Sequence, residues 1–552
     1  MYQTVFDKLT GEPIDAAVAR DGSIALPSGW QTSRPDRRDF LHALIGHRWA
    51  GPALLLALAV ALRGIFYGDP LIQVDEQFYL LMGDRMLHGA IPYVDAWDRK
   101  PIGLFILYAG IRLLGGAGIY QYQIVATLFA WGTALVIRQM GRKVASERAG
   151  WIAGAVYLLW LDIFTGQGGQ SPVFYNLFVA GAGLITFDAV SKTTSPARRF
   201  RLGMAAMALC GIALQIKYTA LFEGVFFGLA LVWWQWRTTG KIAATLVQAL
   251  VFVGIALIPS AAVLGYYASI GQLHTFLYAN VFSVAARGNA HWPELMQRLG
   301  MIVALLSPLL FTLGVAERGR LWEGHDRHAH RFLLQWFGAA VAGLLVFGTW
   351  YDHYALPLLV SLCAAIAPAF DVEWGAKKIG LRIAAVLATI GAIAPFVSYQ
   401  IITHRKGDAA YAEKIAGIVN QARQGGSLYI YDGEPILYLM TGAPTPTKYL
   451  FPDHLSEGIE APAIGTDSVT EVNRILATHP AVILDNVLRP ESSTPDRVAA
   501  QHHYINLATR AVMDAALARD YRLVAEVPRK RYLRRIWQYK GLSPTRVDQP
   551  SA

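Results

Sequence analysis

Apolar runs close to twenty residues long recur along this chain from Trp49 to Ile402, and that recurrence limits the fold more than any other feature. A helix of that length crosses the hydrocarbon core of a bilayer while satisfying its own backbone polar groups. Hydrophobic residues make up 54% of the 552 and charged residues only 16%, which leaves little polar surface for a large soluble body. The pattern predicts a polytopic α-helical membrane protein. Spans are expected at 49–67, 121–138, 150–166, 172–190, 202–217, 219–236, 242–267, 297–315, 331–348, 355–370 and 380–402. The flanks differ from this middle. Residues 1–48 are polar, carry Arg34, Arg37, Arg38 and Arg48, and show no cleavable signal pattern. Residues 403–552 return to soluble composition, enough for one small domain. The expected organisation is a cytoplasmic segment 1–48, a membrane domain 49–402 with a first outer loop 68–101, and a soluble domain 403–552.

The net charge of +10 is accounted for by short Lys/Arg-rich connections, as expected for loops on the cytoplasmic side. They run from Arg138 to Arg148, Lys192 to Arg201, Arg237 to Lys241, Arg318 to Arg331 and Lys377 to Arg382. No basic stripe of the kind that grips nucleic acid is present. Both cysteines, Cys210 and Cys363, lie inside apolar runs, which excludes a disulfide framework or a cysteine metal site. Segment 102–114 is short for a full crossing and reads as half-buried or re-entrant near the outer face. The span count is about 11, rising to 13 if that region holds two more crossings. With an even number of crossings before Arg138, the outer face receives 68–101, 167–171, the Lys217-Tyr218 turn, 268–296, Gly348 to Tyr354 and the C-terminal domain.

The residue types suited to chemistry fall on that outer side. Asp75 and Glu76 open the stretch VDEQFYLLMGDRMLHGAIPYVDAWDRKPIG. Residues 72–89 read as an interfacial helix ended by Gly89 and Pro92. Asp75 and Tyr79 share one face, continued by Met82 and Met86, while Glu76 sits about 100° round the helix. The two carboxylates therefore do not flank one bond as a glycosidase pair does. A single carboxylate suffices to take a proton from an attacking hydroxyl. The plain alternative is that both acids merely favour the positive end of their helix. Lys100, in the run Asp95, Asp98, Arg99, Lys100, suits an anionic lipid phosphate at the bilayer surface, against a simple snorkelling role. Lys217 lies between two apolar runs and requires an anion or water. The loop 268–296 offers His274, Tyr278, Asn280, Arg287 and His291, of which Arg287 suits forked contact with phosphate. Tyr351, Asp352, His353 and Tyr354 form an aromatic cluster that is either an interfacial belt or part of a site. Asp352 beside His353, with Asp75 as a third ligand, leaves a divalent metal open. Arg63, in the outer part of the first span, is expected to snorkel. No phosphate-cradling glycine loop occurs.

In the C-terminal portion, strand-like runs at 427–432, 481–485, 521–527 and 534–540 alternate with helical stretches near 408–422, 466–478 and 501–519. A small α/β domain is expected, acting as a cap or docking element rather than a second catalytic centre.

With these parts in order, the chain resembles the GT-C fold glycosyltransferases that use lipid-linked sugars. It is most similar to the bacterial branch related to protein O-mannosyltransferases and the lipid A aminoarabinose transferase. The resemblance is carried by VDEQFY after the first span, GAIPYVDAWDRKP, the Lys217-Tyr218 turn, the YDHYALP cluster and the terminal outer domain. It implies Asp75 as catalytic base, with Glu76, Tyr79, Lys100, Lys217, Arg287, Tyr351, His353 and Tyr354 lining the substrate site. It also implies a polyprenyl-phosphate-linked sugar donor, a lipid, glycan or protein acceptor, and residence in the bacterial cytoplasmic membrane with the last domain periplasmic. No cofactor is required by the resemblance. Here Asp98-Arg99-Lys100-Pro101-Ile102 lacks the double proline common in the family. Rival readings are a transporter or lipid flippase, disfavoured by the absence of internal repeats and mid-membrane charge, and a surface-polysaccharide ligase or polymerase.

Overall fold

The computed structural model describes residues 2–6, 13–18, 24–25, 49–191, 193–288, 291–321, 327–372, 378–493 and 504–545. Two compact units emerge, Met1–Leu54 and Leu55–Ala552. In the first, β1 (Tyr2–Phe6), β2 (Pro13–Val18) and β3 (Ile24–Ala25) form an antiparallel sheet in chain order. The sequence reading assigned this segment no strands. Arg34, Arg37, Arg38 and Arg48 lie outside the described residues, as do Lys192, residues 322–326 of the connection from Arg318 to Arg331, and Lys377.

A helix stands at every expected span. They are α1 (Ala50–Arg63), α4 (Ile119–Val144), α5 (Glu147–Leu161), α6 (Ser171–Ala189), α7 (Pro196–Leu214), α8 (Leu221–Thr239), α9 (Ile242–Ser269), α10 (Trp292–Arg318), α11 (Arg327–Phe347), α12 (Leu358–Ala365) and α13 (Ile379–Lys406). Among the described residues six helices, α4, α6, α9, α10, α11 and the run beginning with α13, are both long and apolar enough to cross a membrane. On α9 Leu246, Leu250, Val253, Leu257 and Ile258 are exposed, an outward apolar surface that water would disfavour and lipid would not.

Between α1 and α4 lie two helices that carry the chemistry-bearing loop, α2 (Val74–Leu87) and α3 (Ile102–Arg112). Asp75 and Glu76 occupy the first turn of α2, where carboxylates offset the unpaired amides. Pro101 precedes α3, so the helix cannot extend backward. Gly83 lets α2 and α3 meet at backbone distance, since a Cβ there would lie 2.6 Å from the Ala109 nitrogen. Gly103 does the same against Gln215, and the Leu104 amide donates to the Gln215 carbonyl at 3.1 Å.

The C-terminal portion contains α14 (Ala409–Arg423), β4 (Leu428–Ile430), α15 (Ser468–Ala477), β5 (Val482–Leu488), α16 (Leu507–Asp520), β6 (Tyr521–Pro528) and β7 (Tyr532–Tyr539). The sheet order is β4-β5-β7-β6, with β4 parallel to β5 and the other pairs antiparallel. This is the expected α/β portion; the expected helical residues 501–503 lie outside the described set. One continuous buried cluster runs from Leu55 to Ile536, so this sheet packs as part of the same body as the helices.

Candidate active site

The loop from α2 to α3 folds back so that Lys100 meets the start of α2. The Lys100 Nζ lies 3.3 Å from Asp75 Oδ1 and 3.4 Å from Asp98 Oδ2. Asp98 is buried and fixes the loop, accepting from the Lys100 amide at 3.0 Å and from the Arg99 amide. The Tyr93 hydroxyl donates to the Lys100 carbonyl at 2.7 Å. Tyr93 itself adopts φ 69°, a left-handed conformation costly for an aromatic residue and held here by its buried packing against Tyr267 and Phe276. The Lys100 ammonium also lies over two rings, Tyr79 at 5.1 Å and Phe451 at 5.7 Å. Asp75 and Lys100 remain 21% and 29% exposed, so both are reachable by a ligand.

Other elements converge on Asp75. Gln170, just before α6, donates from Nε2 to Asp75 Oδ2 at 3.3 Å. Burial acts to raise the Asp75 pKa, but the charge of Lys100, with smaller help from Gln170 and Lys217, holds this carboxyl well below its usual range. Burial opposes the Lys100 charge too, yet Asp98 and Asp75 outweigh it and keep the ammonium above its ordinary value. Burial, reinforced by Lys217, lowers His353 to about 3, so its ring is neutral. The charge on Asp75 therefore rests on Lys100 rather than on an imidazolium. Lys217 Nζ sits 4.0 Å from the centre of the Tyr354 ring, and His353 packs edge-on to the same ring at 4.7 Å. Beside Lys217 is a cavity of about 20 Å³, enough for one water-sized group, walled by Tyr175, Glu223, Phe222 and Phe347. Tyr351 lies under the Arg298 guanidinium at 4.2 Å.

Among the residues expected at a site, Asp75, Tyr79, Lys100, Lys217, His353 and Tyr354 are thus brought together. Arg287 is engaged by Glu460, at 2.7 Å from Nε to Oε1, with Arg99 on the same carboxylate, and it also meets the Tyr351 side chain beside Tyr354. One is placed differently. Glu76 is fully buried on the other side of α2, so close to Gly168 that a Cβ there would overlap the Glu76 carboxyl. The Gly169 amide and the Tyr122 hydroxyl face the Glu76 carboxyl. Burial raises this carboxyl to about 7, moderated by the Gly169 amide and the Arg63 charge.

The unfolded carboxyl ionises near its ordinary value of 4.5 and the folded one near 7, so between those values the folded state holds the extra proton. Stability from this group is full below about pH 4.5 and falls as pH rises toward 7. Thermal unfolding in detergent is expected to show wild type losing on the order of 2–3 kcal/mol across that window through Glu76. Glu76→Gln should remove this part of the pH dependence. An unchanged pH profile in the variant would show that the carboxyl is already paired.

Several positions were missed by sequence reasoning. Arg63 does not snorkel: it is buried, donating to the Gly168 carbonyl at 2.7 Å, to Thr127 Oγ1 at 3.1 Å and to the Gly166 carbonyl, with Asp162 Oδ1 at 3.4 Å. It pins the loop that ends in Gln170. The C-terminal portion was expected only to cap or dock, but it supplies Phe451 to Lys100 and Glu460 to Arg99 and Arg287. The Trp97 amide also donates to the Lys448 carbonyl at 2.9 Å. The GQGGQSP run marked a tight loop, but nothing in it identified Gln170 as the residue facing Asp75.

No family model matches the chain, and no curated protein sequence matches it significantly. Solved structures do. The structure of ArnT from Cupriavidus metallidurans bound to undecaprenyl phosphate has 14% sequence identity and a TM-score of 0.58, covering 89% of this chain and 98% of that one. Its apo state matches at 15% identity and a TM-score of 0.57, covering 88% and 97%. The Archaeoglobus fulgidus oligosaccharyltransferase tethered to an acceptor peptide containing an NVT sequon matches at 10% identity and a TM-score of 0.51, covering 88% of this chain and 74% of that one.

Proposed function

We propose, starting from a chain that has the GT-C fold of lipid-linked-sugar glycosyltransferases, that it transfers a single sugar from a polyprenyl-phosphate donor to an acceptor hydroxyl on the outer side of the membrane. The observation that carries this reading is the reachable Asp75–Lys100 pair at 3.3 Å, with Lys217 close behind. A carboxylate and two cations are what a displacement at an anomeric carbon beside a phosphate requires. The acceptor oxygen bonds to that carbon, the bond from carbon to phosphate oxygen breaks, the lipid phosphate departs as an anion, and Asp75 receives the acceptor proton. One base and one displacement give inversion.

In the resting site Lys100 suppresses the basicity of Asp75. An arriving phosphate competes for the Lys100 ammonium, so Asp75 regains proton affinity only when the donor is bound. Tyr79, Phe451 and Tyr354 surround the cations with ring faces and slow water exchange there. The Lys100 ammonium beside Asp75 favours an anion there. Among the described residues no group of three or more His, Cys, Asp or Glu gathers as metal ligands. The resulting assignment is a multi-pass enzyme of a bacterial cytoplasmic membrane, its C-terminal α/β portion on the periplasmic side. The test incubates the purified chain with defined polyprenyl-phosphate sugars and measures released polyprenyl phosphate. Release of none from any donor, by a protein that binds undecaprenyl phosphate, overturns the reading.

A further inference from the structure

A second cavity, of about 570 Å³, lies where α13 meets the C-terminal portion. It is within the range of ligand-binding clefts and has a different character from the Lys217 cavity. Its lining carries Asp432, Asp453, Glu457 and Asn486, the cations Arg405, Lys406, Arg510, Arg529 and Arg531, and the rings of Tyr431 and Tyr532, and only Leu488 and Ile505 are aliphatic. Two of its lining residues lie near the Asp75 segment. Lys406, in its wall, donates from Nζ to the Ile72 carbonyl at 3.2 Å, three residues before Asp75. Asp453 stands two residues after Phe451, the ring over Lys100, and its carboxyl experiences the charge of Asp75.

The polar groups here are incompletely used. Asp453 and Glu457 make no side-chain hydrogen bond or ion pair among the described residues, although both are half-buried. Asn486 donates to Asp432 Oδ1 at 2.9 Å, but its own buried Oδ1 accepts nothing among the described residues. Burial, with Glu457, Asp432, Glu460 and Asp75 nearby, raises Asp453 well above its usual value, and burial with Glu460 raises Glu457 to about 7. Near neutrality this wall therefore presents carboxyl groups that both donate and accept. Adjacent hydroxyls of a sugar need that mixture, and its C–H faces stack on flat rings such as Tyr431 and Tyr532. Acyl chains would leave these groups unsatisfied in a dry contact.

Resting on the reading of Asp75 as the base, we infer that this cavity holds the acceptor, and that the acceptor is a carbohydrate whose reacting hydroxyl extends from Asp453 toward Asp75. The test uses the full chain in lipid nanodiscs with three diazirine probes: maltotriose, a phosphatidylglycerol tagged in its acyl chain, and a serine- and threonine-rich peptide. Labelled peptides are mapped by mass spectrometry. Maltotriose is expected to label segments 431–457 and 504–532 in preference to the other probes. The double variant Asp453→Asn, Glu457→Gln should reduce that labelling about tenfold. Tyr532→Ala, on a strand surface away from the helical core, provides a second variant should the first fail to fold. Asp75→Asn should leave labelling intact. Labelling of these segments by lipid or peptide instead, by no probe, or to the same extent in the cavity variants overturns the assignment. Maltotriose labelling without any polyprenyl phosphate release counts against the transfer reaction alone, and release without maltotriose labelling counts against this cavity alone.

Discussion

Asp75→Asn is expected to lower sugar transfer by about 10²- to 10⁴-fold, the range for loss of a positioned general base. The substitution keeps the shape of the side chain and can still accept from Gln170, which now donates at 3.3 Å. It removes the proton-accepting charge. The fold should tolerate it, because Lys100 retains Asp98 at 3.4 Å and is not left as an isolated buried cation. The measurement pairs polyprenyl phosphate release with thermal unfolding and with undecaprenyl phosphate binding. Loss of release with the other two preserved is the expected result, since Asp75 acts on the acceptor and not on the lipid. Transfer within tenfold of wild type would remove Asp75 from the chemistry and shift attention to another carboxyl.

The helical body and the α/β portion were legible because both are written in short-range pattern. Apolar runs of spanning length placed a helix at each expected position, and the runs at 427–432, 481–485, 521–527 and 534–540 coincide with β4 to β7 because buried strands bounded by turns carry a local signature. The differing directions of Asp75 and Glu76 followed from helical rotation alone. What was not legible is contact between distant residues. Gln170 reaches Asp75 across 95 positions, and Arg99 reaches Glu460 across 361. No periodicity encodes such a meeting. Arg63 illustrates the same limit, since a charged residue near a span end reads as snorkelling unless its five donors are known to find carbonyls and hydroxyls inside the fold. The aromatic cluster at 351–354 was open between a belt and a site, and no local pattern could show that Lys217 lies over the Tyr354 ring.

Lys100→Met carries the other large effect and separates two roles of one ammonium. Methionine fills most of the volume between the Tyr79 and Phe451 rings, so packing around the loop is largely kept. Lost is the cation that faces the departing phosphate, expected to reduce the transfer rate about 10²- to 10³-fold by analogy with removal of one preorganised charge-stabilising donor. Undecaprenyl phosphate binding should weaken as well, less than the rate, because the anion charge grows as the bond breaks. The same change also frees Asp75. Without Lys100, burial is opposed only by the weaker influences of Gln170 and Lys217, so the carboxyl pKa rises. Asp75 must be ionised to accept a proton, and the acidic limb of the residual kcat/KM profile therefore moves to higher pH, by more than one unit. A merely structural lysine would lower activity without moving that limb. A lower rate with an unshifted acidic limb would mean that Lys100 does not control Asp75, and the idea that donor binding switches on the base would fail with it.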